Sequence, residues 1–453
     1  MSGENKNVVN ITQAIDAGSF TAFQIGTIIL CSLVAFLDGL DTQSIAVAAP
    51  LIAEKLAIGR TALGPIFSAA VLGAMIGALT FGPLGDRFGR KRCLVAAAII
   101  FGVCTILTAT ADTYNTLLVV RFVAGIGLGG ATPCFIALAS EYAPQRRRAM
   151  IASLIWSAFP LGGMVGGFLN GYILAHFGWP VIFMVGGVLP LIVAGALSIW
   201  LPESIRFLLA EDRDPEKALA IARRIVPGVG PTARIVADEE HIKGGALKHL
   251  FTEGRAAGTV LLWVVFIMAF GTLAITVLWT PTLLRSNGIA PSQAAIVLGF
   301  HGLGALIGMG SAGRLIERFG AAATLVPALV LGAIATGAVG FAATSVTSMS
   351  IVLALIGVFV GMGGSGAIAL AALNYPTAIR STGVGWAMGM GRGGQVIAPL
   401  TTSLMLVLGW GTTPVFLATA IAPFIAAIFV LAFALHADGT KVVGAAAPSP
   451  KIS

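Results

Sequence analysis

Gly82-Pro83-Leu84-Gly85-Asp86-Arg87-Phe88-Gly89-Arg90-Lys91 is the stretch on which the reading of the fold turns, because the chain repeats it. Its weaker echo is Ala312-Gly313-Arg314-Leu315-Ile316-Glu317-Arg318-Phe319-Gly320, which puts Glu317 231 residues after Asp86. A second pair, Glu141-Tyr142-Ala143-Pro144-Gln145-Arg146-Arg147 and Asn374-Tyr375-Pro376-Thr377-Ala378-Ile379-Arg380, is offset by 233 at its tyrosines. Two independent echoes at nearly one offset point to a duplicated unit. Internal duplication suits a carrier that must open alternately to either face of a membrane.

Composition names the solvent of that unit. With 453 residues, 57% hydrophobic and 10% charged, and a mean hydropathy of +0.95, the chain is far too apolar to be soluble. The 58 glycines therefore read as close helix packing in lipid rather than as loops. Cys31, Cys93, Cys104 and Cys134 are scattered in apolar runs without metal-ligand spacing, so they read as small core residues; no disulfide, metal or cofactor is expected.

Working outward, twelve runs are long enough to span a hydrocarbon core: 22–48, 62–83, 93–110, 116–138, 149–173, 180–200, 257–280, 293–313, 322–342, 350–373, 382–407 and 413–435. The expected fold is an all-α membrane protein of 12 transmembrane helices in two six-helix bundles. The boundaries are an N-terminal tail at 1–21, a first bundle at 22–200, a linker at 201–256, a second bundle at 257–435 and a tail at 436–453. Residues 1–20 hold no Arg-rich or cleavable pattern, so the first run reads as a retained span. The linker balances nine acidic against nine basic residues and carries a surface-helix pattern from Pro215 to Arg224, which fits a cytoplasmic connection better than a domain.

An even number of spans puts both termini on one side. If that side is the cytoplasm, inner segments hold 22 of the 27 Lys and Arg, outer loops hold only Lys55, Arg60 and Arg285, and Arg121 and Arg392 lie inside spans. This is the positive-inside pattern, which places both termini in the cytoplasm. It also accounts for the net charge of +8 without a nucleic-acid partner; the partner of the chain is the lipid bilayer.

The first span contains Phe36-Leu37-Asp38-Gly39-Leu40-Asp41. A carboxylate in a membrane segment must line a polar cavity, pair with a cation or stay protonated. Asp38 and Asp41 are spaced i, i+3 and share one side of a helix, which points to the polar cavity of a proton-coupled transporter. The plainer alternative is that one acid caps a helix break at Gly39. Arg121 cannot shed its charge cheaply, so it clamps a substrate carboxylate, governs the proton site by pairing with Asp38 or Asp41, or forms a structural ion pair. Arg392, in Met388-Gly389-Met390-Gly391-Arg392-Gly393-Gly394, is the second clamp for an anion; no Gly-Lys-Ser or Gly-Lys-Thr follows, so a phosphate loop is set aside. His301 can titrate and hydrogen-bond a substrate, with Asn170 and Gln395 as weaker polar candidates. Asp86 beside Arg87 and Arg90 reads as a gate latch, Glu317 and Arg318 as its counterpart, and Glu141 with Arg147, together with Arg380, as the rest of a cytoplasmic charge ring. Five dispersed histidines and no activated nucleophile argue against an enzyme, and paired gates argue against a channel.

The stretch at 82–92 and its repeat resemble the signature loop of the major facilitator superfamily. Within it, Asp38-Gly39-Leu40-Asp41, Arg121-Phe122 with Gly125, Gly127, Gly129 and Gly130, Ser140-Glu141-Tyr142-Ala143-Pro144, Leu201-Pro202-Glu203-Ser204 and Arg380-Ser381-Thr382-Gly383-Val384-Gly385-Trp386 resemble the aromatic acid:H+ symporter family. The resemblance implies a major facilitator fold, normally monomeric, that takes up an aromatic carboxylate such as benzoate or a hydroxybenzoate across a bacterial inner membrane, with protons as the coupling ion. An aromatic substrate would need an apolar wall, for which Trp156, Phe159, Phe270, Trp279 and Trp386 are the candidates. A carrier of a non-aromatic organic anion, or an exporter or antiporter of the same fold, would share every charge named above. Glu317 departs from the commoner Asp while keeping the charge.

Overall fold

The computed structural model describes residues 8–18, 20–210, 213–226, 229–230, 233–236, 248–252, 255–375 and 379–445. Lys6, Lys243, Lys451 and the Pro376-Thr377-Ala378 part of the second echo lie outside them. In order, the elements are β1 (Val8–Asn10), α1 (Ile11–Ala17), α2 (Ala22–Lys55), α3 (Leu63–Phe88), α4 (Arg90–Ala109), α5 (Tyr114–Glu141), α6 (Arg148–His176), α7 (Trp179–Trp200), α8 (Ile205–Leu209), α9 (Pro215–Ile225), β2 (Arg234–Val236), α10 (Ala256–Ser286), α11 (Pro291–Phe319), α12 (Ala321–Ala342), α13 (Val346–Asn374), α14 (Arg380–Val407) and α15 (Thr412–Ala445). Eleven of the twelve long helices are long and apolar enough to cross a membrane; α14, which carries Arg392 among its glycines, is the least apolar of the set.

Several helices outrun their predicted ends. The expected stop of α2 before Pro50 does not occur, and α3 runs through Pro83 to Phe88. Proline inside a membrane helix is tolerated where neighbouring groups satisfy the freed carbonyl. The stretch at 82–92, expected as a loop, is thus helical on both sides of a single break at Gly89. Gly89 has φ +103° and its echo Gly320 has φ +87°, a backbone region that only glycine enters without strain. Gly39 breaks nothing: α2 is continuous through it, so neither Asp38 nor Asp41 is a cap there.

The chain divides into two compact units, Met1–His241 and Ile242–Ser453. Within the first, α2 packs on α6, α3 on α5 and α4 on α7; within the second, α10 packs on α14, α11 on α13 and α12 on α15. The same pairing scheme recurs, and glycines show why. Gly73 and Gly77 on α3 lie against the backbone of Phe122 and Ile126 on α5, so closely that a Cβ would overlap it. Gly304 and Gly308, 231 residues later in both cases, do the same on α11 against Ala354 and Val358 of α13. Small residues spaced i, i+4 let two membrane helices meet backbone to backbone, where dispersion rather than water drives association.

The first unit carries more than its bundle. β1 pairs in parallel with β2, Val9 opposite Ile235, so the N-terminal segment holds part of the linker against this unit. Ile11 and Ile15 of α1, Leu208 of α8, and Ala218, Ala222 and Ile225 of α9 join the same buried core as Cys31, Leu94 and Leu138. The surface helix expected at 215–224 is α9, with Asp214 capping its first turn by accepting from the Lys217 amide at 3.1 Å.

Candidate functional site

Asp41 of α2 and Arg121 of α5 form a bidentate ion pair: Nη2 donates to Oδ2 at 2.6 Å and Nη1 to Oδ1 at 3.2 Å. Both side chains are about fully enclosed, at 1% and 2% exposure. Each of the two helices is seated on a neighbour through small residues: on α2, Gly39 lies on the carbonyl of Phe159 in α6, and on α5, Gly125 and Gly129 lie on Ala70 and Ala74 of α3. Such a pair gives up hydration on both ions and recovers it only through good geometry, so it is costly to keep and costlier to break from one side. Arg121 Nε has no hydrogen-bond partner among the described residues.

The pair sits in a polar patch. Thr105 of α4 donates to Asp41 Oδ1 at 3.4 Å, and Asn170 of α6 donates to Ser44 Oγ at 3.2 Å. Gln43 is buried with its Oε1 unpartnered. Thr105, Gln43 and Ser44 were invisible as site residues in the sequence, since a single hydroxyl or amide in an apolar run is ordinary; only their burial beside Asp41 singles them out. Asp38 lies one turn before Asp41, half-buried, its carbonyl accepting from Thr42 at 2.9 Å. Trp156 of α6 is half-buried in the same unit.

At the end of this unit where α3 meets α4 the expected charge ring is partly redrawn. Arg90 bridges Asp86, at 3.1 Å, and Glu141. Glu141 therefore pairs with Arg90, not with Arg147, which follows a tight turn and lays its guanidinium over the Phe20 ring at 5.7 Å. Arg87 lies over Phe88, and its carbonyl accepts from Arg213 at 3.0 Å. Ser204 Oγ donates to Glu141 at 2.6 Å, Tyr142 Oη donates to the Glu203 carbonyl at 2.6 Å, and the Glu203 carboxylate accepts from the Lys91 amide at 2.9 Å. Glu203 thus places its charge at the N-terminus of α4, where the helix dipole favours an anion. Burial, with Glu203 beside it, pushes the Tyr142 phenol well above its ordinary value. Glu203 and Ser204 are neighbours of this cluster that their charge alone did not single out; the signal was their motif, directly after the sixth long helix.

In the second unit, Glu317 and Arg318 are exposed at the end of α11, with Arg318 over Phe319 at 5.2 Å. Arg380 donates to the Tyr375 carbonyl at 3.4 Å. At the repeat offsets Ala321 and Asn374 stand where Arg90 and Glu141 would be, so the second unit has no copy of that ion pair. His301 is buried on α11 with Nε2 unpartnered, and its carbonyl faces Gly357 of α13. Arg392 is half-buried on α14. Beside it, Gly391 leaves room for the Phe270 ring, half-buried on α10 and stacked on Phe266 at 5.7 Å and 11°. Trp279 is fully buried, and Trp386 is largely exposed and stacked on Trp263 at 6.3 Å. Among the described residues no group of three His, Cys, Asp or Glu gathers to hold a metal.

Comparison with known proteins agrees with this architecture. The family model of the Major Facilitator Superfamily matches residues 31–287 and 261–451. The chain is 33% identical over 443 residues to the 4-hydroxybenzoate transporter PcaK of Pseudomonas putida, covering 95% of this chain and 99% of that one. It is 35% identical over 407 residues to the 3-(3-hydroxy-phenyl)propionate transporter of Escherichia coli K12, covering 89% and 93%. Among solved structures, the xylose transporter XylE of E. coli superposes with a TM-score of 0.70 at 18% identity, over 91% of this chain and 98% of that one, which speaks for the fold alone. With eleven membrane-competent helices, a repeated pairing scheme and relatives matched over nearly their whole length, the chain is a multi-pass transport protein rather than an enzyme, and it belongs to the Major Facilitator Superfamily, in the group that holds these aromatic-acid transporters.

Proposed function

We propose that the protein takes up an aromatic carboxylate such as benzoate or a hydroxybenzoate together with protons, across a bacterial inner membrane, with both termini in the cytoplasm. The observation that carries this reading is the buried Asp41–Arg121 pair. Both η nitrogens of Arg121 are occupied by Asp41, so an anion cannot be clamped there until the carboxylate lets go. Protonation neutralises Asp41, frees Arg121 and makes the site ready for an anion; a proton and a substrate that each favour the same state raise one another's affinity. Asp38, half-buried one turn away, shares the titration, and two coupled acids yield macroscopic steps rather than one assigned proton.

In the second unit, taken by itself, Arg392 is the candidate clamp for a carboxylate, and Phe270, packed on the preceding residue Gly391, offers an aromatic face of the right chemistry for a benzene ring. His301, buried with one nitrogen unpartnered, suits a ring hydroxyl; Trp386 in this unit and Trp156 in the first are each candidate aromatic contacts on this reading. The Asp86–Arg90–Glu141 cluster, with Arg87 and Arg147, acts as the latch of the first unit, and Glu317, Arg318 and Arg380 as that of the second. The aromatic-acid transporters at 33% and 35% identity support the substrate class.

The test is uptake of radiolabelled benzoate, 4-hydroxybenzoate and small dicarboxylates into proteoliposomes, with and without an inward proton gradient, for the native chain and Asp41→Asn. Gradient-driven accumulation of an aromatic acid that is lost in the variant is the expected result. Accumulation indifferent to the gradient removes the coupling, and transport of dicarboxylates alone removes the aromatic substrate.

A further inference from the structure

Asp41 has a neighbour that the ion pair does not need. The fully buried Thr105 hydroxyl reaches Oδ1 at 3.4 Å, long against a usual O–H···O distance of about 2.7–2.8 Å. The two carboxylate oxygens are held unequally. Oδ2 takes the 2.6 Å bond from Arg121 Nη2, whereas Oδ1 has the 3.2 Å contact from Nη1 and the long one from Thr105. A proton reaching this carboxylate displaces the weaker set more easily, and that set is on Oδ1.

We propose that Thr105 is a positioning residue for coupling: it accepts a hydrogen bond from the protonated Oδ1 of Asp41 and holds the neutral carboxyl once Arg121 is released. The inference rests on the symport reading above. The step balances without another reactant: a proton from the outer water forms the Oδ1–H bond, the carboxylate charge is cancelled, Arg121 is left to the substrate anion, and the reverse step returns the proton on the inner side. A hydroxyl suits this task because it donates to a carboxylate and accepts from a carboxyl, which the isosteric valine can do in neither direction. When it accepts, the Thr105 hydrogen would turn to the Phe101 carbonyl four residues back, the kind of bond that Thr108 makes to Cys104 on the same helix and Thr272 to Met268 on α10.

The surroundings leave few rivals for this role. Among the described residues the charged partner of Asp41 is Arg121 on α5; Asp38 lies one turn away on α2 itself, and the Cys104 thiol on α4 lies near Arg121. From α6 comes Asn170, already bonded to Ser44, and from α7 comes Gly186, which meets Thr105 through its methyl side.

The experiment measures the outer-pH profile of radiolabelled 4-hydroxybenzoate and benzoate uptake into proteoliposomes at fixed inner pH, for the native chain, Thr105→Val and Thr105→Ser. Thr105→Val is expected to move the midpoint to more acidic pH by about one unit, the roughly ten-fold change that one buried hydrogen bond supplies. Uptake should recover at the acidic end, and Thr105→Ser should restore the native midpoint. With a pH-dependent native protein, an unmoved midpoint overturns the role of Thr105 alone, and an alkaline shift does so by showing that the hydroxyl serves the carboxylate instead. Native uptake indifferent to outer pH overturns the symport reading and this inference together. Should Thr105→Val not fold, Thr105→Ala carries the same expectation.

Discussion

Arg121 holds Asp41 with both of its terminal nitrogens, 80 residues apart in the chain and enclosed within one helical unit. An enclosed ion pair is asymmetric in its energetics: deleting one partner strands the other charge, whereas deleting both can be nearly neutral. That asymmetry separates a pair kept for folding from one kept for transport.

Asp41→Asn alone is expected to destabilise the first unit by about 3–5 kcal/mol, because Arg121 is left charged and buried. Asp41→Asn combined with Arg121→Gln should regain most of that stability and none of the transport. Thermal unfolding in detergent, read beside proteoliposome uptake, measures both. A double variant that transports would mean that the pair is structural.

Gly39→Ala is expected to cost about 1–3 kcal/mol or more, since its methyl would land on the Phe159 carbonyl and force α2 from α6. Gly26→Ala, on the same helix with open space around it, is the control and should be neutral or slightly stabilising through helix propensity, by at most about 1 kcal/mol. Equal losses in the two would remove close packing as the explanation.

Tyr142 gives a pH expectation whose sign follows from its environment. Burial and Glu203 raise the phenol above its ordinary value near 10 in the folded protein, while the unfolded phenol ionises normally. The folded state therefore keeps its proton where the unfolded state loses it, and stability is intact below about pH 10 and falls as pH rises beyond it. Tyr142→Phe should lower the melting temperature at neutral pH, losing a hydrogen bond of about 1 kcal/mol to Glu203, yet flatten the alkaline decline. Melting temperatures recorded along an alkaline series distinguish the two effects.

Phe270→Leu removes the ring packed on Gly391 while keeping apolar bulk. The expected result is a KM for 4-hydroxybenzoate raised up to about ten-fold with little change in maximal rate, since a face-to-ring contact is worth about 0.5–1.5 kcal/mol. An unchanged KM would take the aromatic wall away from this part of the second unit.

Much of the architecture was legible in the residues. Hydropathy located all twelve long helices, and the offset of 231 between Asp86 and Glu317 is the same offset that separates Gly73 from Gly304 and Gly89 from Gly320 in the folded units. Helix ends were less legible, because Pro50 and Pro83 are stop signals in water and are accommodated in a packed membrane helix. The N-terminal segment looked like a polar tail because three residues of strand and seven of helix carry too little periodic signal to register; their core partners, in α8, α9 and β2, come from about 190 to 226 residues further on.

By itself the sequence determined that the chain is a duplicated membrane bundle and that Asp38, Asp41 and Arg121 are charges requiring a reason, because hydropathy, repetition and the cost of burying an ion are local properties of residues. Only the tertiary structure decided that Asp41 is the acid that takes Arg121, that Glu141 takes Arg90 and leaves Arg147 to Phe20, and that Thr105 stands against Oδ1. Those choices depend on how each helix is rotated and how closely two helices cross, which the glycines at the crossings permit and which no spacing along one chain encodes.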